Sequence, residues 1–194
     1  MRIGLLLGSF DPIHIGHVHI ATTVLNEKVC DKVLFVVAKQ NPFKEKQPSP
    51  FDIRCGMIEA SIRGLEDKCE VCRLEENIEG KSYSYKVLNL LREKYPKDEL
   101  FIVCGMDTFK ILPKWKNYDT DIKPYFGVIV LDRDEQMEDE ETVIPSSVIA
   151  IQPLPICISS TFVRFRIKNG EIPIPYINKE TYDIILKNKL YGIQ

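Results

Sequence analysis

Apolar residues in this chain come in short unbroken runs, separated by stretches in which they recur every three or four positions. That alternation is expected of strands covered on both faces and linked by amphipathic helices. Residues 3–7 and 32–37 read as buried strands, residues 100–104 as a third strong one, and residues 126–131 as a fourth. A weaker strand is predicted at 69–74, and 148–151 fits an edge strand close to Pro153 and Pro155, since proline cannot donate to a ladder. Helical spacing covers 15–28, 52–63 with Asp52 as its N-cap, 83–95 up to Pro96, 161–168 and 179–189. Strands alternating with helices in this way predict an α/β fold with a mostly parallel sheet and helices on both faces. No repeat and no Gly/Ser-rich linker interrupts the pattern, so residues 1–194 are expected to form a single domain, with a small C-terminal helical part at about 155–194.

Composition narrows the function classes. With 194 residues, 44% hydrophobic and 28% charged, the chain can bury one sizeable core and is neither disordered nor fibrous. A net charge of -2 argues against a nucleic-acid coat or a membrane-surface binder, which need an excess of Lys and Arg. No run of about 18 apolar residues spans a membrane, and the first residues do not read as a signal peptide. The six cysteines are scattered, several in apolar runs, which fits reduced thiols and a cytoplasmic setting, with a nuclear one left open. Cys69 and Cys72, three apart on a strand, should face opposite sides and share neither metal nor disulfide. The acidic residues in 132–141 read as a solvated loop or insertion.

Chemistry concentrates where the first strand meets the first helix, at Gly8-Ser9-Phe10-Asp11-Pro12-Ile13-His14-Ile15-Gly16-His17. In a parallel sheet that junction lies at the carboxyl ends of the strands, where ligands bind. Gly8 admits phosphates to the backbone, and the helix start offers N–H groups and a positive dipole end to an anion. His14 and His17, three apart, are able to face one cleft, whereas His19 leaves it. A tight turn with locally bonded histidines would give the same residues. Zinc is the weaker reading, because no cysteine stands near in sequence. Neither GxxxxGK[ST] nor GxGxxG occurs.

Two further clusters follow. In Ile158-Ser159-Ser160-Thr161-Phe162-Val163-Arg164, Ser159 or Ser160 caps a helix and Arg164 aims its fork at anions near the same end, although a capped helix with a solvated Arg is the plainer alternative. Gly105 and Asp107, after the strand ending at Cys104, are suited to a ribose or adenine, and Trp115, the only tryptophan, lies nearby unless it is simply core.

Together these residues resemble the nicotinate/nicotinamide mononucleotide adenylyltransferase family, within the HxGH nucleotidyltransferases. The first cluster is similar to its GxFxPxHxGH pattern, and residues 158–164 to its ISSTxxR pattern. Gly80-Lys81-Ser82-Tyr83-Ser84-Tyr85, the stretch from Gly105 to Trp115, Thr181-Tyr182 and Leu190-Tyr191-Gly192 look like the bacterial-type nicotinate enzyme. The resemblance implies a Rossmann-like fold and transfer of AMP from ATP to nicotinate mononucleotide, giving nicotinate adenine dinucleotide and pyrophosphate, with some activity on nicotinamide mononucleotide.

It also implies roles. Gly8, Ser9 and Phe10 would line the ATP phosphates, with His14, His17 and Arg164 as catalytic residues. Gly105 and Asp107 would hold adenosine, and Ile158 and Ser159 the adenine and triphosphate edge. Lys44, Ser82, Tyr83, Ser84, Tyr85, Trp115 and Tyr118 would serve the acceptor, Trp115 by stacking on the pyridine ring. Lys44 stands in Asn41-Pro42-Phe43-Lys44, where bacterial relatives often have PPHK, and Asp132-Arg133-Asp134 is less basic than in those relatives. Magnesium would ride on the substrate phosphates without protein ligands. Nucleic acid and membrane are not expected as partners, and a homo-oligomer stays open. The alternatives are a phosphopantetheine adenylyltransferase and, in a different class, a non-catalytic nucleotide-binding regulator on the same fold.

Overall fold

The central strand of the sheet is apolar along almost its whole length because helices cover both of its faces. In the computed structural model, which describes residues 1–40, 47–131, 148–154 and 156–193, the strands are β1 (Arg2–Gly8), β2 (Lys32–Val37), β3 (Cys69–Cys72), β4 (Glu99–Gly105), β5 (Gly127–Leu131) and β6 (Ile149–Ile151). The helices are α1 (Ile15–Asn26), α2 (Phe51–Ser61), α3 (Ser84–Lys94), α4 (Met106–Ile111), α5 (Ser160–Lys168) and α6 (Lys179–Lys187). Lys44 and the acidic stretch 132–141 fall outside the described residues.

Each neighbouring pair of strands is parallel, in the order β3-β2-β1-β4-β5-β6, so β6 is an edge strand as its prolines suggest. This is a Rossmann-like α/β arrangement. The chain winds outward from β1 to one side and returns to the other at β4, which makes the β1/β4 boundary the switch point.

Side-chain alternation divides the core in two. Leu6, Val33, Phe35, Val103 and Ile129 pack on one face with α1, α2, α5 and α6. Ile3, Leu5, Leu34, Ile102 and Leu100 pack on the other with α3, Leu112 and Ile122. Cys69 belongs to the first face and Cys72 to the second, as their spacing on a strand requires. The C-terminal helices are fastened to this body: Asn178 Nδ2 donates to the Ala60 carbonyl at 2.8 Å, and the buried Thr181 hydroxyl meets Ser61 Oγ at 2.9 Å.

One local expectation is corrected, and one helix is added. Helix α2 begins at Phe51 with Pro50 in the cap position, so Asp52 lies inside the first turn; its carboxylate is drawn instead to the guanidinium of Arg73. The segment after Cys104 runs straight into α4, with Gly105 as its first flanking residue, a helix too short to leave a clear periodic signature. Among the described residues no helix is long and apolar enough to cross a membrane.

Candidate active site

At the carboxyl end of β1 the backbone turns through Phe10, which holds φ at +49, and enters α1 at His14. The Phe10 ring folds back over Gly8: a Cβ on Gly8 would come within 3.0 Å of its Cζ. A glycine at position 8 thus lets the Phe10 ring pack closely against the end of β1. Phe10 in turn meets the rings of His17 and Phe35 edge-on, with centroids 5.0 Å and 5.6 Å away.

The two histidines do share one cleft. Their rings stack at 3.8 Å between centroids, and the His14 backbone N–H donates to His17 Nδ1 at 3.2 Å. In this bond His17 Nδ1 is the acceptor, so the two rings and the helix start are held together as one unit. Gly16 makes this compact start possible, since a Cβ there would lie 2.9 Å from Ile158 Cγ2 and 3.0 Å from His14 Nδ1. His19 turns away, its Nε2 lying 3.0 Å from the Leu154 carbonyl.

Facing this turn is the start of α5. Ser159 is the cap, its Oγ accepting from Phe162 N–H at 3.2 Å, while Ser160 Oγ donates to the Pro12 carbonyl at 2.8 Å. Arg164 is partly spent on the protein: Nη1 donates to the Asp11 carbonyl at 2.7 Å and Nη2 to Thr161 Oγ1 at 3.1 Å. Its remaining donors line a cleft of about 1030 Å³ together with Ser9, Phe10, His14, His17, Ile158 and Ser159. Gly8, Gly105, Asp107, Ser82, Tyr83, Ser84, Tyr85, Trp115 and Tyr118 do not line that cleft. Gly105 nonetheless ends the strand beside β1, where the register of Leu6 with Val103 leads directly toward Gly8, and Asp107 is exposed one step further on.

The acceptor-side residues form a separate group on the α3 face. Ser82 is buried and gives its hydroxyl to Glu75, so it turns inward. Tyr83 and Tyr85 stack at 6.3 Å, and Lys116 Nζ stands 4.6 Å from the Tyr83 ring centre, which joins residues 83–85 to 115–118. Trp115, Tyr118 and Tyr85 are half-buried against the core beneath, so Trp115 contributes to packing without being enclosed by it. Tyr118 opens a π-type turn, Tyr118–Ile122, preceded by Asn117 in the left-handed region at φ +58. The N–H groups of Tyr83, Trp115 and Tyr118 already bond the carbonyls of Lys81, Leu112 and Trp115. The N–H groups of Ser84 and Tyr85 lie in the first turn of α3, where the helix supplies no partner of its own.

Sequence reasoning missed four residues that hold these parts in place. Arg54 is 1% exposed and directs its guanidinium at backbone carbonyls: Nε to Ser49, Nη1 to Ser9 and Ala38, Nη2 to Lys39, at 2.7 to 3.1 Å. Burial lowers its pKa, against the opposing pull of Asp11 and Glu75. Glu75, also buried, accepts from Lys39 N–H and Ser82, and burial pushes it above the usual carboxylate value. Asp11 and Tyr191 pair across the cleft at 2.6 Å. A charge at 54 on the same helical face as Cys55, Met57 and Ile58 is the one signal that could have pointed to Arg54.

A family model described as cytidylyltransferase-like matches residues 5–166. A protein of Clostridium tetani named "Probable nicotinate-nucleotide adenylyltransferase" is 33% identical over 95% of this chain and 96% of its own length. One of the same name from Thermus thermophilus is 34% identical over 98% of this chain and 100% of its own. Among solved structures, the Plasmodium falciparum nicotinic acid mononucleotide adenylyltransferase complexed with NaAD superposes with a TM-score of 0.81, covering 100% of this chain and 98% of that one at 20% identity, a likeness of fold.

Proposed function

This chain belongs to the cytidylyltransferase-like family and, within it, to the nicotinate-nucleotide adenylyltransferases, and from that premise we propose how its residues divide the transfer of AMP from ATP to nicotinate mononucleotide. A phosphate oxygen of the acceptor attacks the α-phosphorus of ATP. The bond from that phosphorus to the oxygen bridging to the β-phosphate breaks, and pyrophosphate leaves with its electron pair. No protein nucleophile is needed, so the protein's work is positioning and neutralisation of charge.

The observation that carries this assignment is the convergence of two helix starts on one cleft. His14 begins α1 and Ser159 caps α5, with His17 and Arg164 one turn inside each. Such ends favour anions through free N–H groups and the helix dipole. His17 and His14 stabilise the transferring phosphoryl group, and Arg164 holds the leaving phosphates while tying down the loop at Asp11. Ser9, Phe10, Ile158 and Ser159 line the triphosphate and adenine edge; Gly105 and Asp107 serve the adenosine half from the neighbouring strand end.

Magnesium enters as part of the ATP substrate, in keeping with its preference for phosphate and water oxygens. Asp11, the carboxylate among the described residues lining the cleft, is committed elsewhere: one oxygen accepts from Tyr191 and the other from Ser49 N–H. We read the whole chain as one domain working in the cytoplasm, with Lys44 as a further phosphate contact.

On the acceptor side, Trp115 stacks on the pyridine ring and the tyrosine pair with Lys116 frames its carboxylate. A carboxylate only accepts hydrogen bonds, so the first-turn N–H groups of Ser84 and Tyr85 and the Lys116 ammonium suit it better than an amide bearing its own donors. The test is pyrophosphate release by the purified protein with ATP and magnesium, against nicotinate mononucleotide, nicotinamide mononucleotide and phosphopantetheine. Nicotinate mononucleotide should lead its amide by roughly 5- to 150-fold in kcat/KM. Equal or better use of the amide removes the carboxylate argument, turnover of phosphopantetheine alone reassigns the acceptor, and no release with any acceptor favours a binding regulator.

A further inference from the structure

The cleft has a wall that none of the roles above uses, the 3₁₀ turn Leu190–Gly192 at the far end of the chain. Its backbone is held in an unfavourable conformation. Lys189 and Tyr191 lie in the left-handed region at φ +49 and +60, where a side chain is crowded, so the surrounding structure must hold them there. Tyr191 is half-buried, packs on the α1-side core, and points its hydroxyl at the Asp11 carboxylate, donating to Oδ1 at 2.6 Å. Burial pushes that phenol well above its ordinary pKa, with the Asp11 charge adding to the effect, so it stays a donor.

Asp11 is the residue through which the phosphate loop is tied. Its other carboxylate oxygen accepts Ser49 N–H at 3.3 Å, and its carbonyl accepts Arg164 Nη1 at 2.7 Å. The residue before it, Phe10, has the positive φ that aims its ring at His17, and the residue after it, Pro12, gives its carbonyl to Ser160. Movement of Asp11 would therefore displace Arg164 and the Phe10–His17 contact together.

We infer that Tyr191 is a positioning residue for the nucleotide, acting through Asp11 to keep the 9–14 loop and Arg164 in the arrangement that receives the triphosphate. It also keeps the Asp11 carboxylate, which lines the cleft, turned onto the protein. The inference rests on the adenylyltransferase reading of the same cleft.

The test is Tyr191→Phe, which removes one oxygen and leaves the ring packed. The Tm should fall by only a few degrees, the cost of one hydrogen bond to a charged group, while KM for ATP should rise about 10-fold and KM for nicotinate mononucleotide should stay within about twofold. Equilibrium binding of ATP with magnesium should weaken in parallel. Asp11→Asn should show the same split, and the double variant should be no worse than the poorer single one, because both act on one contact. A lowered Tm with unchanged ATP binding and kinetics would make Tyr191 a merely structural tie and overturn the inference, as would additive effects in the double variant. If the unaltered protein fails to turn over these substrates, the functional reading falls, and ATP binding by the two variants still decides the role of Tyr191.

Discussion

The cleft proposed for the nucleotide and the surface proposed for the acceptor are built by different means. Around the cleft at the end of β1, the described loops are pinned by hydrogen bonds to their carbonyls: Arg54 on Ser9 and Ser49, Arg164 on Asp11, Ser160 on Pro12. Around Tyr83 and Trp115 the contacts are between half-buried rings, a lysine over a tyrosine and a π-type turn, with Ser82 and Glu75 anchoring the segment from below. The first region is held by hydrogen bonds to backbone carbonyls; the second is held by packing of half-buried side chains.

The comparison breaks first at His17. His17→Ala should leave a folded protein whose kcat is about 10²-fold lower or worse, the usual loss on removing one preorganised charge-stabilising group. Near-normal turnover in steady-state assays would move the chemistry away from the stacked pair. Next in size is Arg54→Met, which leaves carbonyls of Ser9, Ala38, Lys39 and Ser49 without their donors. A loss of about 3 kcal/mol, or roughly 10 °C in Tm, is expected by calorimetry, with the residual activity impaired in its use of ATP.

The acceptor side is sharpened by Trp115→Ala. Loss of one stacking face costs roughly 1–3 kcal/mol in comparable base-binding sites, so KM for nicotinate mononucleotide should rise far more than KM for ATP. A fall in Tm with both KM values unchanged would return Trp115 to the core. The smallest effect is in the pH dependence of stability. Burial raises Glu75 above its ordinary value, so between that value and the raised one the native state binds the extra proton. The stabilisation is fully present below the unfolded pKa and declines as pH rises through the folded one. Denaturant titrations of Glu75→Gln should lack that decline; identical pH profiles would show that Ser82, Lys39 and Arg54 fully offset burial.

The sheet could be read from the chain because strands covered on both faces leave unbroken apolar runs. Residues 32–37 came out with the observed boundaries, and β1, β4 and β5 within a residue at each end. What failed to show was set by partners far away. Asp52 has the residue type and position of a cap, but Arg73 lies 21 residues on and takes its carboxylate. Helix α4 is only 6 residues long and starts where the strand stops. On the proposed nucleotide side, each candidate sits in a short local motif, His14 and His17 in one and Arg164 in another, so all three were visible and the structure brings them to one cleft. Their supports, Arg54, Asp11 and Tyr191, are linked only by folding. On the acceptor side, the residues came from resemblance alone, because half-buried aromatics have no period that separates recognition from packing.

The Asp11–Tyr191 contact spans 180 positions, and the Arg164 and Ser160 contacts with the same loop span 153 and 148. A ribosome adding roughly 5–20 residues each second needs on the order of ten seconds or more to cover that distance. During synthesis, β1 and its histidines exist long before any of the groups that hold the loop behind them. On the proposed roles, a nascent chain that has not yet reached Tyr191 carries the histidine motif without its fastening.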